Sequence, residues 1–172
     1  MYKFKKLSLG WSEGTSMLSL AIEKLDDGKY SHVYLKFEFE DAPTLIYESH
    51  IRGGVQITPY VQLEKAIIDG KVRSVFEREL SVSPTAMKKI WEEATSLHGD
   101  AYDARQILIY LIWIKYLKGK GKKFVNAFIN GKFTCNEFVI TACKAALADF
   151  AQFDMTFTPE RMYRYFYGKS SK

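Results

Sequence analysis

The apolar residues of this chain change period along its length, and that change limits what it can build. Met17, Leu18, Ala21, Ile22 and Leu25 recur at helical spacing, and Asp26-Asp27-Gly28 ends the pattern. Val33, Leu35, Phe37 and Phe39 then alternate with His32, Tyr34, Lys36 and Glu38, the signature of a strand with two unlike faces. Pro43 supplies a break, and Leu45 to Ser49 reads as the returning strand of a hairpin with Glu48 near its end. Gly53-Gly54 permits a sharp turn before the short strand Val55 to Ile57. Thr58-Pro59 opens an irregular or briefly helical excursion to Gly70, and Val72 to Leu80 again has strand character. Residues ahead of Met17 read only as a short N-terminal segment. The middle of the chain therefore predicts a mostly antiparallel sheet.

Helices are expected on the C-terminal side of that sheet. Ser83 is suited to cap free amides and Pro84 loses nothing at a first helical position, so a helix starts there. Met87, Ile90, Trp91, Ala94 and Leu97 give it one apolar stripe, ending near Gly99. Residues Tyr102 to Leu117 are apolar almost all round and predict a central, covered helix terminated by Gly119 and Gly121. Thr134 and Glu137 match a capping box, and Phe138, Val139, Ala142, Ala146 and Phe150 extend a core-facing stripe over a helix from Thr134 to Phe150. Thr158-Pro159-Glu160-Arg161 starts a last short helix carrying Met162, Tyr165 and Phe166, and Lys169 to Lys172 reads as a frayed tail. Strands followed by helices make the expected class α+β, in one domain spanning residues 1–172.

Composition excludes several classes. With 47% hydrophobic and 26% charged residues the chain is neither disordered nor embedded in a membrane. Its longest apolar run, Ile107 to Ile114, falls well short of the roughly 20 residues needed to span a bilayer. The N-terminal residues have lysines without a sustained apolar stretch, so no signal peptide is expected and cytoplasmic residence is. Only Cys135 and Cys143 are present, and a helix between them separates them by about 12 Å, too far for a disulfide.

The formal charge is +5, concentrated in Lys115, Lys118, Lys120, Lys122, Lys123 and Lys132. This region reads first as a solvated basic loop and, as a partner site, as a contact for an anionic polymer or surface. Gly119-Lys120-Gly121-Lys122-Lys123 lacks the spacing and terminal hydroxyl of a phosphate-binding loop, so no nucleotide or other organic cofactor is expected.

A nucleophilic cysteine requires activation, a nearby base and a group that orients the base. Cys135 falls in the first turn of a predicted helix, where the amide-rich end favours a thiolate. Cys143, deeper in the same helix, reads as a small core residue. His32 and Glu48 lie on adjacent predicted strands and supply a base and an orienter if those strands reach the helix start. His50, two residues from Glu48 and on the same strand face, competes for the role of base. His32, His50, His98, Cys135 and Glu48 have no compact zinc-ligand spacing, and no metal site is expected.

The segments SHVYLKF at 31–37, YES at 47–49, GGV at 53–55, HGDAYD at 98–103 and FTCNEFV at 133–139 together resemble the circularly permuted, NlpC-type papain-like proteins. The resemblance covers residues 12–166 and lies in the joint order of the motifs. Related proteins include cell-wall peptidases and amidases and the lecithin retinol acyltransferase-like enzymes, though this chain lacks the fuller cysteine motif and C-terminal membrane segment of the latter. The resemblance implies a permuted papain-like fold with His32 as base, Glu48 as polar orienter and Cys135 as nucleophile. It implies a thiol hydrolase, peptidase- or amidase-like, that cleaves a peptide, amide or ester bond through an acyl-enzyme. Tyr102-Asp103 matches a recurring feature of the family at the start of a helix; it reads as a core tyrosine beside a helix-capping aspartate, supporting the cleft wall rather than taking part in the chemistry. Tyr30, Ser31 and Tyr34 are candidates for an oxyanion donor beside the Cys135 amide. The alternative is a papain-like scaffold without catalysis, using its basic surface to bind nucleic acid, cell envelope or protein.

Overall fold

A computed structural model describes residues 2–103, 132–153 and 157–168. Residues 4–14 are not a loose lead-in but the longest strand of the fold. Leu7, Leu9 and Trp11 are each fully buried, and they alternate with Ser8, Gly10 and Ser12. That two-residue period makes β1 (Phe4–Gly14) a strand with one apolar and one small, polar face.

The remaining elements follow in order: α1 (Met17–Asp26), β2 (His32–Phe39), β3 (Leu45–His50), β4 (Gly54–Pro59), α2 (Tyr60–Ile68), β5 (Val72–Glu79) and α3 (Pro84–Ser96). Two short strands, β6 (Ala101–Tyr102) and β7 (Lys132–Phe133), precede α4 (Cys135–Lys144); a 3₁₀ turn at Ala148–Gln152 and α5 (Pro159–Gly168) complete the chain. The first five strands form one antiparallel sheet ordered β4-β3-β2-β1-β5. β1 thus joins the hairpin strands to β5, a pairing that no local pattern announces.

Val33, Leu35 and Phe37 of β2 and Tyr47 of β3 extend the buried face of β1, and α3 and α4 cover that face through Met87, Ile90, Phe138 and Val139. Each fully buried side chain of this size removes about 1.5–3 kcal/mol of apolar exposure, so this layer is the principal source of stability. The opposite face of the sheet carries His32, Tyr34 and Glu48, with α1 and α2 beside it. Gly10 lies under Tyr34 there, and a Cβ at Gly10 would stand 2.2 Å from the tyrosine ring.

The start signals for helices hold. The hydroxyls of Ser83 and Thr158 accept from the amides of Ala86 and Arg161, each at 3.2 Å. Asp27 enters the left-handed region with φ 47° and ends α1. Two expectations need correction. The helix that begins at Cys135 ends at Lys144, because Leu147 turns extended and Phe150 reaches the core from the 3₁₀ turn, where it meets Phe153 and Phe166. Tyr102 belongs to a strand rather than a helix start; its parallel pairing with Phe133, distant in sequence, overrides the apolar run that follows it. The rest of the predicted central helix, from residue 104, and the lysines from Lys115 to Lys123 lie outside the described residues, as does the C-terminal tail from Lys169. Lys132 is described, and it is exposed. Among the described residues no helix is long and apolar enough to cross a membrane.

Candidate active site

His32 opens β2, opposite Ser12 of β1, and Glu48 comes from the neighbouring β3. Because side chains two apart share a strand face, Tyr34 and Glu48 project with His32 away from the apolar core. The imidazole Nε2 meets Glu48 Oε2 at 2.7 Å. The other carboxylate oxygen accepts from the Thr58 hydroxyl at 2.9 Å and the Gln56 amide at 3.5 Å, both on β4. Three strands therefore fix one carboxylate, and the carboxylate fixes the ring.

Cys135 reaches the same place from the other side of the sheet. The Phe133 carbonyl accepts from Ser49 Oγ at 2.7 Å, which ties the residues just before the helix to β3. β7 also pairs with β6, which packs along β4: Val55 N–H donates to the Asp100 carbonyl at 2.8 Å. Gly54 adopts φ +66° at this junction, and a Cβ there would lie 2.0 Å from the Asp100 oxygen. At the helix start Glu137 accepts from the Thr134 amide and hydroxyl, each at 2.9 Å, which closes the capping box. Asn136 is held by Thr134 at 3.0 Å and donates its amide to the Phe157 carbonyl. Cys135, only 4% exposed, thus sits on a rigid, buried polar turn.

The structure brings all three sequence-predicted residues together. His32 hydrogen-bonds to Glu48 and interacts with the Cys135 side chain, whose thiol donates to Asn136 Oδ1 at 4.0 Å. Burial pushes the imidazole pKa down, but the bonds and negative charge of Cys135 and Glu48 outweigh it and raise the value to about 10. Burial likewise pushes Glu48 up, yet the His32 bond and charge and the Thr58 hydroxyl hold it down at about 2. His50 lies alongside, its ring 6.2 Å from that of His32, and it has a different environment. Burial first, then the His32 charge, push His50 below its ordinary value.

The three candidate oxyanion donors each have another partner. Tyr34 donates to Glu77 at 2.9 Å, Ser31 donates to Glu23 at 2.9 Å, and Tyr30 is buried against Tyr163. Tyr102 is the residue that the sequence left in the cleft wall. It does line the cleft, and burial, then the negative charges of Cys135, Glu137 and Asp103, push its phenol up. Its hydroxyl therefore stays protonated in the cleft wall. The Tyr-Asp motif was the available signal; the pairing with Phe133, two residues before Cys135, left no local pattern.

Among the described residues no group of three or more His, Cys, Asp or Glu side chains is arranged to hold a metal ion. Cys135 and Cys143 are both free thiols.

No protein-family model matches this chain, and no curated protein matches it. Among solved structures, the crystal structure of metalloprotein yiiX from Escherichia coli O157:H7, DUF1105, is similar, with a TM-score of 0.62 and 18% sequence identity. The alignment covers 98% of this chain and 84% of that one. At such identity the likeness bears on the fold alone. The chain shares with that protein an α+β architecture in which a five-stranded antiparallel sheet packs against helices.

Proposed function

We propose that this chain is a cysteine-nucleophile hydrolase on a permuted papain-like scaffold, acting on an amide, peptide or ester bond through an acyl-enzyme. One observation supports the reading: the His32 imidazole is held by the Glu48 carboxylate at 2.7 Å and interacts with the cysteine at the head of a capped helix. Glu48 takes Nε2 and leaves Nδ1 as the ring nitrogen for Cys135, so the base has a fixed tautomer and angle. In the reaction His32 takes the Cys135 thiol proton as the sulfur attacks the substrate carbonyl and forms a C–S bond, with the carbonyl electron pair moving onto oxygen. The tetrahedral oxyanion is met by the Cys135 backbone amide and the Tyr102 hydroxyl. His32 gives its proton to the departing nitrogen or oxygen as that bond breaks. It then takes a proton from water, which adds to the acyl carbon and releases the acid and the sulfur.

The structural neighbour is described as a metalloprotein. In this chain the candidate residues do not fit a metal: Nε2 of His32 is engaged by Glu48 at 2.7 Å, and among the described residues no three His, Cys, Asp or Glu side chains are arranged to hold an ion. We derive no step through a metal. The non-catalytic alternative draws on the basic segment, and no observation on the described residues favours it.

Covalent capture tests the hydrolase reading. Incubation with activated p-nitrophenyl esters and mass spectrometry of the quenched protein are expected to show one acyl adduct on Cys135, lost in Cys135→Ala. An adduct on Cys143, or none at all across acyl groups from acetyl to decanoyl, contradicts it.

A further inference from the structure

His32 is the first residue of β2, and the sheet supports it on one side only. Its register partner is Ser12 of β1, whereas β3 pairs with β2 over Leu35 to Phe37 and makes no pairing with it at His32. Strand ends with few backbone partners open most easily, so the segment leading into His32 decides how firmly the ring is aimed.

That segment is held from the far end of the chain. Glu160, in the first turn of α5, is 5% exposed, and one of its carboxylate oxygens accepts from the backbone amides of Lys29 at 2.8 Å and Tyr30 at 3.2 Å. The other oxygen accepts from Arg164 Nε at 2.8 Å, and Arg164 also donates to the Asp27 carbonyl at 2.6 Å. Gly28 lies against the same side chain; a Cβ there would stand 2.2 Å from Glu160 Cγ. A buried carboxylate is costly unless its oxygens are met, and here charge-assisted bonds meet both. Three residues before Glu160, the Phe157 carbonyl accepts from the side-chain amide of Asn136, the neighbour of Cys135. Residues 157–160 therefore grip both the segment that delivers the imidazole and the turn that carries the sulfur.

We propose that Glu160 is a positioning residue for His32 and Cys135, and that the start of α5 is a brace which sets how closely base and nucleophile approach. This rests on the hydrolase reading for the roles of His32 and Cys135, and it adds a residue that touches neither. Met162 and Phe166 seat α5 in the core, so the carboxylate is not needed to dock the helix. Its bonds to Lys29 and Tyr30, like that of Asn136 to Phe157, end within three positions of His32 or Cys135. Without the two amide bonds the ring drifts, and rates fall steeply when reacting groups are misplaced by a fraction of an ångström.

Glu160→Ala tests the brace, with Met162→Ala as the control for stability, because it thins the core under the same helix and touches neither segment. On p-nitrophenyl acetate Glu160→Ala is expected to lower kcat about tenfold with KM little changed. Two readouts need no turnover. The His32 ring midpoint, followed by NMR, is expected to fall from about 10, and the alkylation rate of Cys135 with iodoacetamide is expected to fall with it. Glu160→Gln, which keeps an oxygen for the two amides, is expected to restore all three. Met162→Ala is expected to lower the melting temperature and leave all three in place. Should Glu160→Ala fail to fold, Gly28→Ala, which displaces the carboxylate without removing it, is read in the same way. A wild-type midpoint and alkylation rate in the variant that folds, or changes as large in Met162→Ala, overturn the proposal. Absence of esterase activity in the wild-type protein counts against the hydrolase reading instead, and the two physical readouts still decide this one.

Discussion

The two ends of α4 place two chemically identical thiols in unlike surroundings. At the first turn Thr134, Asn136 and Glu137 are all buried, yet each is hydrogen-bonded, and Cys135 faces an imidazole. Two turns on, Cys143 is fully buried among Phe138, Val139, Ile140 and Ala142, and burial alone pushes its thiol up. A buried polar group is tolerated when its partners are supplied by the fold, and the capping box supplies them at one end only. The proposed nucleophile is therefore distinguished by helix position and by what the sheet delivers to it, not by exposure, since both are hidden.

The contrast is broken most severely by removing the base. His32→Ala is expected to lower kcat/KM by about 10³-fold, within the range of general acid–base contributions, while His50→Ala and Cys143→Ala keep most of the activity. Steady-state assay of the three variants on one ester checks this; loss confined to His50→Ala would transfer the base to the neighbouring ring. Next in size is Tyr102→Phe, which removes one hydroxyl from the cleft wall and is expected to reduce kcat by about 10²-fold with little change in KM. An unchanged kcat would return Tyr102 to a purely structural place in the wall.

The smallest effect is on titration. His32 is held at about 10, above its ordinary 6.5, so its stabilising contribution is complete below 6.5 and is lost as pH rises through 10. Glu48 is held at about 2, below its ordinary 4.5, so its share is present above 4.5 and lost as pH falls through 2. Both shares are therefore intact between 4.5 and 6.5. In Glu48→Gln the His32 midpoint, followed by the NMR signal of its ring C–H, is expected to fall from about 10 towards 6.5. A midpoint that stays put would mean that Cys135 alone holds the proton.

Much of this arrangement was legible in the chain because local patterns carry it. The β2–β3 hairpin follows from the alternation after His32 and the break at Pro43, and it places Glu48 within reach of the ring. The helix start at Cys135 follows from Thr134 and Glu137, whose bonds form as their spacing requires. What was not legible depends on pairings between distant segments. Lysines at 3, 5 and 6 mask the strand period of Leu7, Leu9 and Trp11, and only contact with β2 and β5 makes β1 part of the sheet. Tyr102 reaches the strand just before Cys135 through a two-residue parallel ladder with β7, too short to leave a period. Nothing in the residues after Lys144 marks the end of α4; the packing of Phe150 on Phe153 and Phe166 accompanies it.

Alkylation rates of the two thiols measure the contrast at its source. Folded protein treated with limiting iodoacetamide, digested and quantified by mass spectrometry should carry the label on Cys135 well before Cys143, and His32→Ala should abolish that preference. Equal rates in the folded wild-type protein, or a preference for Cys135 that survives loss of His32, would contradict activation of the sulfur by this imidazole.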